Sequence, residues 1–230
     1  MSVAPAVPAP WWLVAAVTVA GAGLGWLLAH ELGTGAYRLD DEADRRRPGP
    51  PAALALAVPV LWGVLAWRLG GLSQGAALPA YLLLAWTGAA LFWVDVDVHR
   101  LPEGLTLPVI PALLVLLAVA SATTGDWGAL LRAVVCGVAG WVVYAVLAFI
   151  VPGGLGLGDA TLGGLVALPL GYLGWGVPIV GFVAAYLASG VVALVGLATR
   201  RLSLRSHIAF GPFIVIGALV ALLLRFQLSI

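Results

Sequence analysis

The sequence predicts an all-α, polytopic integral membrane protein of about eight transmembrane helices with its N-terminus outside. Three observations carry that expectation. The chain of 230 residues is 63% hydrophobic and only 9% charged, and its mean hydropathy is +1.10. Apolar runs of roughly 20 residues, the length that crosses a bilayer core, fill most of it. The short alternating segments of a transmembrane barrel are absent from the sequence.

Taken in order, the apolar runs place helix 1 over 11–32, with Trp11 and Trp12 suited to an interfacial belt. The N-terminal stretch M-S-V-A-P-A-V-P-A-P has no basic residue, so this run reads as a retained helix and not as a cleaved secretory signal. A charged, proline-bearing loop follows over 33–51, read as a short solvated connector. Helix 2 is expected over 52–67, interrupted by Pro59, and helix 3 over 75–94. Helix 4 is expected over 105–122, with Pro108 and Pro111 near its start, where proline is best tolerated. Helix 5 follows over 127–151 and is ended by Pro152, Gly153 and Gly154. Helix 6 is expected over 159–173, helix 7 over 177–199 and helix 8 over 208–226. The whole of 1–230 is read as one membrane domain.

Charge sets the orientation. All 11 basic residues are arginine, and against 10 acids they leave a net charge of +1. No basic face exists for nucleic acid, so no nucleic-acid partner is expected; membrane lipid is. With the N-terminus outside, the loops facing the cytoplasm hold Arg38, Arg45, Arg46, Arg47, Arg100, Arg200, Arg201 and Arg205, eight of the 11. Short-loop arginine bias favours that arrangement. It places the segments around Asp95, Asp159 and residues 199–207 on one membrane face. Cys136 is the only cysteine, which excludes an internal disulfide and a paired-cysteine zinc site. Its expected role is packing.

The segment from Val94 to Pro108 reads V-D-V-D-V-H-R-L-P-E-G-L-T-L-P, with five ionisable groups in the nine residues from Asp95 to Glu103. Carboxylates at the edge of a bilayer are costly unless solvated, paired or used. A second acid, Asp159, stands in G-L-G-L-G-D-A where two apolar runs meet. Taken alone, an acid at a helix end is a solvated cap. Taken as a pair, Asp95 and Asp159 could share a proton, one activating water and the other protonating the scissile group. Gly154, Gly156 and Gly158 remove side chains where the backbone must bend or approach a neighbour closely. Asp97 is the other possible dyad member, or a solvated partner for Arg100. His99 could join Asp95 and Asp97 around a metal, but three ligands so close in sequence rarely converge; no metal and no cofactor is expected.

These segments resemble the prepilin peptidases, the type IV leader peptidases of the GxGD class. The segment beginning at Val94 looks like their I-D-x-x-x-x-x-L-P-D-x-L-T-L-P element. G-L-G-L-G-D-A-T-L resembles G-x-G-x-G-D-V-K-L, and A-F-G-P-F at 209–213 resembles P-F-G-P-F. The resemblance covers 91–217 and implies an aspartic endopeptidase with Asp95 and Asp159 as its catalytic pair. Gly154, Gly156, Gly158, Pro102, Glu103, Gly211 and Pro212 would support the substrate or the loops. It further implies cleavage of the basic leader from type IV prepilin or pseudopilin precursors at the cytoplasmic face of the inner membrane.

The chain departs from the family pattern at Glu103 (usually Asp), at Ala160 and Thr161 (usually Val and Lys) and at Ala209 (usually Pro). The 33–51 loop has no cysteine, where full-length bacterial members resemble bifunctional enzymes with a zinc-binding methyltransferase domain. Peptidase activity without N-methylation is the resulting expectation. The rival class is a small transporter or channel relaying protons or cations through the same carboxylates. That class favours acids deeper within helices and inverted repeats with broken segments, neither of which is evident.

Overall fold

A computed structural model describes residues 9–42, 49–71, 75–150, 155–201 and 209–228. Among them the regular structure is entirely helical: α1 (Trp11–Thr34), α2 (Ala52–Leu69), α3 (Leu78–Val98), α4 (Glu103–Thr106), α5 (Val109–Thr124), α6 (Trp127–Ile150), α7 (Leu157–Leu173), α8 (Gly176–Ala198) and α9 (Gly211–Leu228). Six segments are long and apolar enough to cross a membrane, and α7 and α9 are shorter apolar helices. Large apolar side chains such as Leu56, Phe149, Leu187 and Leu194 point outward. So much exposed apolar surface suits lipid as the solvent.

Two boundaries differ from the sequence reading, for physical reasons. Helix 3 was expected to end at residue 94, leaving Asp95 and Asp97 in a loop. The helix instead continues to Val98. Nothing between Val94 and Arg100 breaks it, since the next proline is Pro102. His99 closes the helix in the left-handed region at φ 55°, its N–H donating to Asp95 O at 2.9 Å. Asp97, read as a solvated partner for Arg100, is therefore buried at 7% exposure. Helix 4 was expected as one element, but α4 is a single turn and α5 begins only after Pro108. Proline has no N–H to continue a helix and fits the first turn, where Pro111 sits.

The chain divides into two compact units, one of residues 1–90 and 112–127 and the other of 91–111 and 128–230. The first is built on the α1–α2 pair. Gly21 and Gly25, four apart and so on one helix face, let α2 come close. A Cβ at Gly21 would stand 3.0 Å from Pro59 Cα, and one at Gly25 would stand 3.0 Å from Leu54 O. Small residues at a helix crossing replace the hydrophobic drive that lipid removes. Trp86 Nε1–H donates to Leu24 O at 3.4 Å, tying α3 to α1.

The second unit is organised on α7, whose residues from Leu162 to Leu173 are all buried. A helix apolar all round belongs inside. Against it α6 lays Gly137 and Gly140, where a Cβ would stand 3.1 Å from Leu168 Cβ and 2.6 Å from Ala167 Cβ. Cys136 is buried and packs against Gly171, the role expected of it. Arg132 of α6 donates from Nε to Gly171 O at 2.8 Å and from Nη2 to Tyr172 O at 2.6 Å. These carbonyls belong to the last turn of α7, where Gly171 O also accepts the Gly174 N–H at 3.2 Å and no further turn follows to satisfy Tyr172 O. The guanidinium thus caps α7 and pins it to α6. On the other side, α8 and α9 approach where Gly217 meets Gly181 O.

Candidate active site

Three helix ends in the second unit hold the residues of the three sequence segments. Asp159 is the third residue of α7, and its Oδ2 accepts the Gly156 N–H at 2.9 Å. This is the acidic half of a capping box; glycine at the N-cap has no side chain to supply the other half. The positive end of the helix macrodipole favours a carboxylate there. Asp159 is half-buried.

Asp95 is placed against local preference. It lies in the last turn of α3, near carbonyls that disfavour an anion, and is only 5% exposed. Its compensation comes from far along the chain. Gly211, the first residue of α9, donates its N–H to Asp95 Oδ2 at 2.9 Å. That N–H is one of the donors a helix start leaves unpaired, so the carboxylate faces the positive end of α9. A Cβ at 211 would stand 2.7 Å from Oδ2. Only glycine fits without moving Asp95.

Gly158 brings the start of α7 to the Asp95 segment. A Cβ there would stand 3.1 Å from Leu101 Cβ, and Leu101 is buried just before α4. The Asp159 carboxyl is near enough for its charge to reach Asp95. Around them stands an aromatic shell. Tyr144 of α6 lies over Gly163, one turn beyond Asp159. Its ring is 5.3 Å from that of Phe182 and 6.2 Å from that of Phe210. Tyr186 lies 4.7 Å from Phe182 and 5.0 Å from Phe210. An apolar cavity of about 350 Å³ adjoins this shell, lined by residues that include Val135, Ala139, Val143, Tyr144, Ile179 and Phe182.

Of the residues singled out in sequence, Asp95, Asp159, Gly156, Gly158 and Gly211 meet at this end of the unit. Pro102 precedes α4 as its N-cap and Glu103 is exposed at the helix start. Pro212 is buried in the first turn of α9. Gly154 lies outside the described residues. Sequence reasoning missed Tyr144 and Tyr186. Four of the five tyrosines lie inside apolar runs, where a hydroxyl needs a partner, so nothing in the sequence set these two apart.

The fold and the site define a polytopic helical membrane protein with two aspartates gathered at the ends of its helices. Across about three quarters of its length the chain is homologous to proteins named prepilin leader peptidase/N-methyltransferase. That of Stutzerimonas stutzeri is 32% identical over 178 residues, 76% of this chain and 58% of the relative. The Pseudomonas aeruginosa protein is 28% identical over 179 residues, with the same shares of 76% and 58%. The Aeromonas hydrophila protein is 35% identical over 163 residues, 66% of this chain and 51% of the relative. The chain spans little more than half the length of these curated relatives. No family model matches the chain, and no solved structure does either.

Proposed function

We propose that the protein is a membrane-embedded aspartic endopeptidase that removes the basic leader from type IV prepilin or pseudopilin precursors. The observation that carries this reading is the meeting of Asp95 and Asp159, each with one carboxylate oxygen engaged by a backbone N–H. Those N–H groups fix the carboxyls in place and leave the second oxygen of each to handle protons. One carboxylate takes a proton from the attacking water and later passes it to the leaving amine, while the other, as the acid, protonates the scissile carbonyl oxygen and takes that proton back when the tetrahedral diol collapses. The proton balance belongs to the pair, so neither role is assigned to one residue.

The homology to proteins named as prepilin leader peptidases supports the substrate class. The arginine distribution supports cleavage at the cytoplasmic face of the inner membrane. The apolar cavity beside Tyr144 would receive apolar side chains of the precursor's stem. The relatives' names also carry an N-methyltransferase activity. The 33–51 loop lacks the cysteines of a zinc-binding domain, so methylation is not proposed for this chain.

The test is co-expression with a precursor carrying a basic leader and an apolar stem, read by mass spectrometry. Asp95→Asn and Asp159→Asn keep an oxygen to accept each backbone N–H but remove the acid–base function. Leader removal by the wild type and its loss in both variants is the expected result. Undiminished cleavage by either variant would sink the dyad.

A further inference from the structure

Tyr186 carries a hydroxyl that nothing else in the site explains. Its Oη is closed off from solvent and has no hydrogen-bond partner among the described residues. A buried, unpaired hydroxyl costs about 1–3 kcal/mol, and native structures retain few of them without a use. The ring around it is firmly held. Phe182, one turn earlier on α8, lies 4.7 Å away, Tyr144 6.4 Å and Phe210 5.0 Å.

Position gives the hydroxyl its meaning. Phe210 immediately precedes Gly211, whose N–H holds Asp95. Tyr144, stacked on Tyr186 at an interplanar angle of 26°, covers Gly163 one turn beyond Asp159. Tyr186 therefore belongs to the same end of the unit as both carboxyls. A peptide entering a site walled by apolar helices brings backbone carbonyls that have lost their water and need a donor. A neutral O–H in that place is such a donor.

We propose that Tyr186 is a substrate-binding residue, donating its O–H to a backbone carbonyl oxygen of the peptide held between Asp95 and Asp159. This rests on the aspartic-peptidase reading above. Among the described residues the hydroxyl has no partner; with peptide bound, the pair forms where water is excluded. Tyr144 supplies the wall against which the Tyr186 ring is set.

The experiment uses the full chain reconstituted in liposomes with a precursor bearing a basic leader and an apolar stem. Wild type, Tyr186→Phe, Tyr186→Leu and Asp95→Asn are compared. Tyr186→Phe keeps the ring and removes only the hydroxyl. Its kcat/KM should fall about 10- to 100-fold, the loss of one desolvated hydrogen bond, while its melting temperature holds or rises, because the cost of the unpaired hydroxyl is gone. Tyr186→Leu should lose activity and also melt earlier, because it removes the ring packing. Wild-type kinetics in Tyr186→Phe, with Asp95→Asn inactive, would overturn the hydroxyl's role and leave the dyad standing. A fall in activity matched by an equal loss in melting temperature would mark Tyr186 as packing only. Cleavage that survives Asp95→Asn would remove the dyad, and this inference with it.

Discussion

Gly211 N–H reaches Asp95 Oδ2 at 2.9 Å across 116 residues of sequence. The start of α9 thereby meets a carboxylate that the end of α3 would otherwise disfavour. The contact joins two of the three sequence segments directly, and it depends on the missing side chain at 211.

Gly211→Ala should therefore behave as a site mutation. The added Cβ would stand 2.7 Å from Oδ2, so the carboxyl must move. A displacement of about 1 Å can cost on the order of 100-fold in rate. Leader removal should drop by that order in a quantitative cleavage assay, with helical content by circular dichroism preserved. Near-normal cleavage would show that the Asp95 position is not critical.

Gly158 should be graded by size. A methyl group would sit 3.1 Å from Leu101 Cβ, tight enough to require a shift of a few tenths of an ångström. Gly158→Ala should slow cleavage about threefold to tenfold, and Gly158→Leu by about 100-fold or more. Initial rates across the series check this. Equal rates in both variants would mean that the approach of α7 to Leu101 does not set the site.

Arg132 makes a stability prediction that the site does not share. Replacing it by Met removes two charge-assisted hydrogen bonds to Gly171 O and Tyr172 O and uncaps α7. The expected cost is about 2 kcal/mol, read as an earlier thermal transition of the purified protein in detergent. An unchanged transition would mean that water or lipid headgroups satisfy those carbonyls equally well.

Chelation provides a test of mechanism. The proposed proton transfers are performed by the two carboxyls alone. Leader removal should continue at an unchanged rate after exhaustive treatment with EDTA. A loss that Zn²⁺ or Mg²⁺ restores would point to metal-assisted hydrolysis and against the dyad.

A steric test applies to the tyrosine wall. Gly163 is overlaid by the Tyr144 ring so closely that a Cβ would enter it. Gly163→Val should push the ring aside, lowering both cleavage and melting temperature. The double variant Gly163→Val/Tyr144→Ala should recover part of the melting temperature, since the clash is gone. Failure to recover would mean that the damage lies in α7 itself.

The amino-acid sequence by itself determined the helical membrane class, the run of apolar segments and the two acids worth attention. Those properties are local: bilayer-length hydropathy fixes a helix, and a rare carboxylate among apolar residues marks itself. The segment around Asp159 was equally readable, because capping and close approach impose recognisable residue types; Gly211 stood out only through the family resemblance of A-F-G-P-F. Asp97, by contrast, was misplaced. α3 runs on to Val98 because nothing before Pro102 breaks it, but whether the Asp95 carboxylate it carries there finds a partner depends on Gly211, distant in sequence. The tertiary structure alone decided this, as it decided that Arg132 caps α7 and that Tyr186 shares its end of the unit with both aspartates. Such relationships are set by which helix ends pack together, a long-range matter on which local hydropathy is silent.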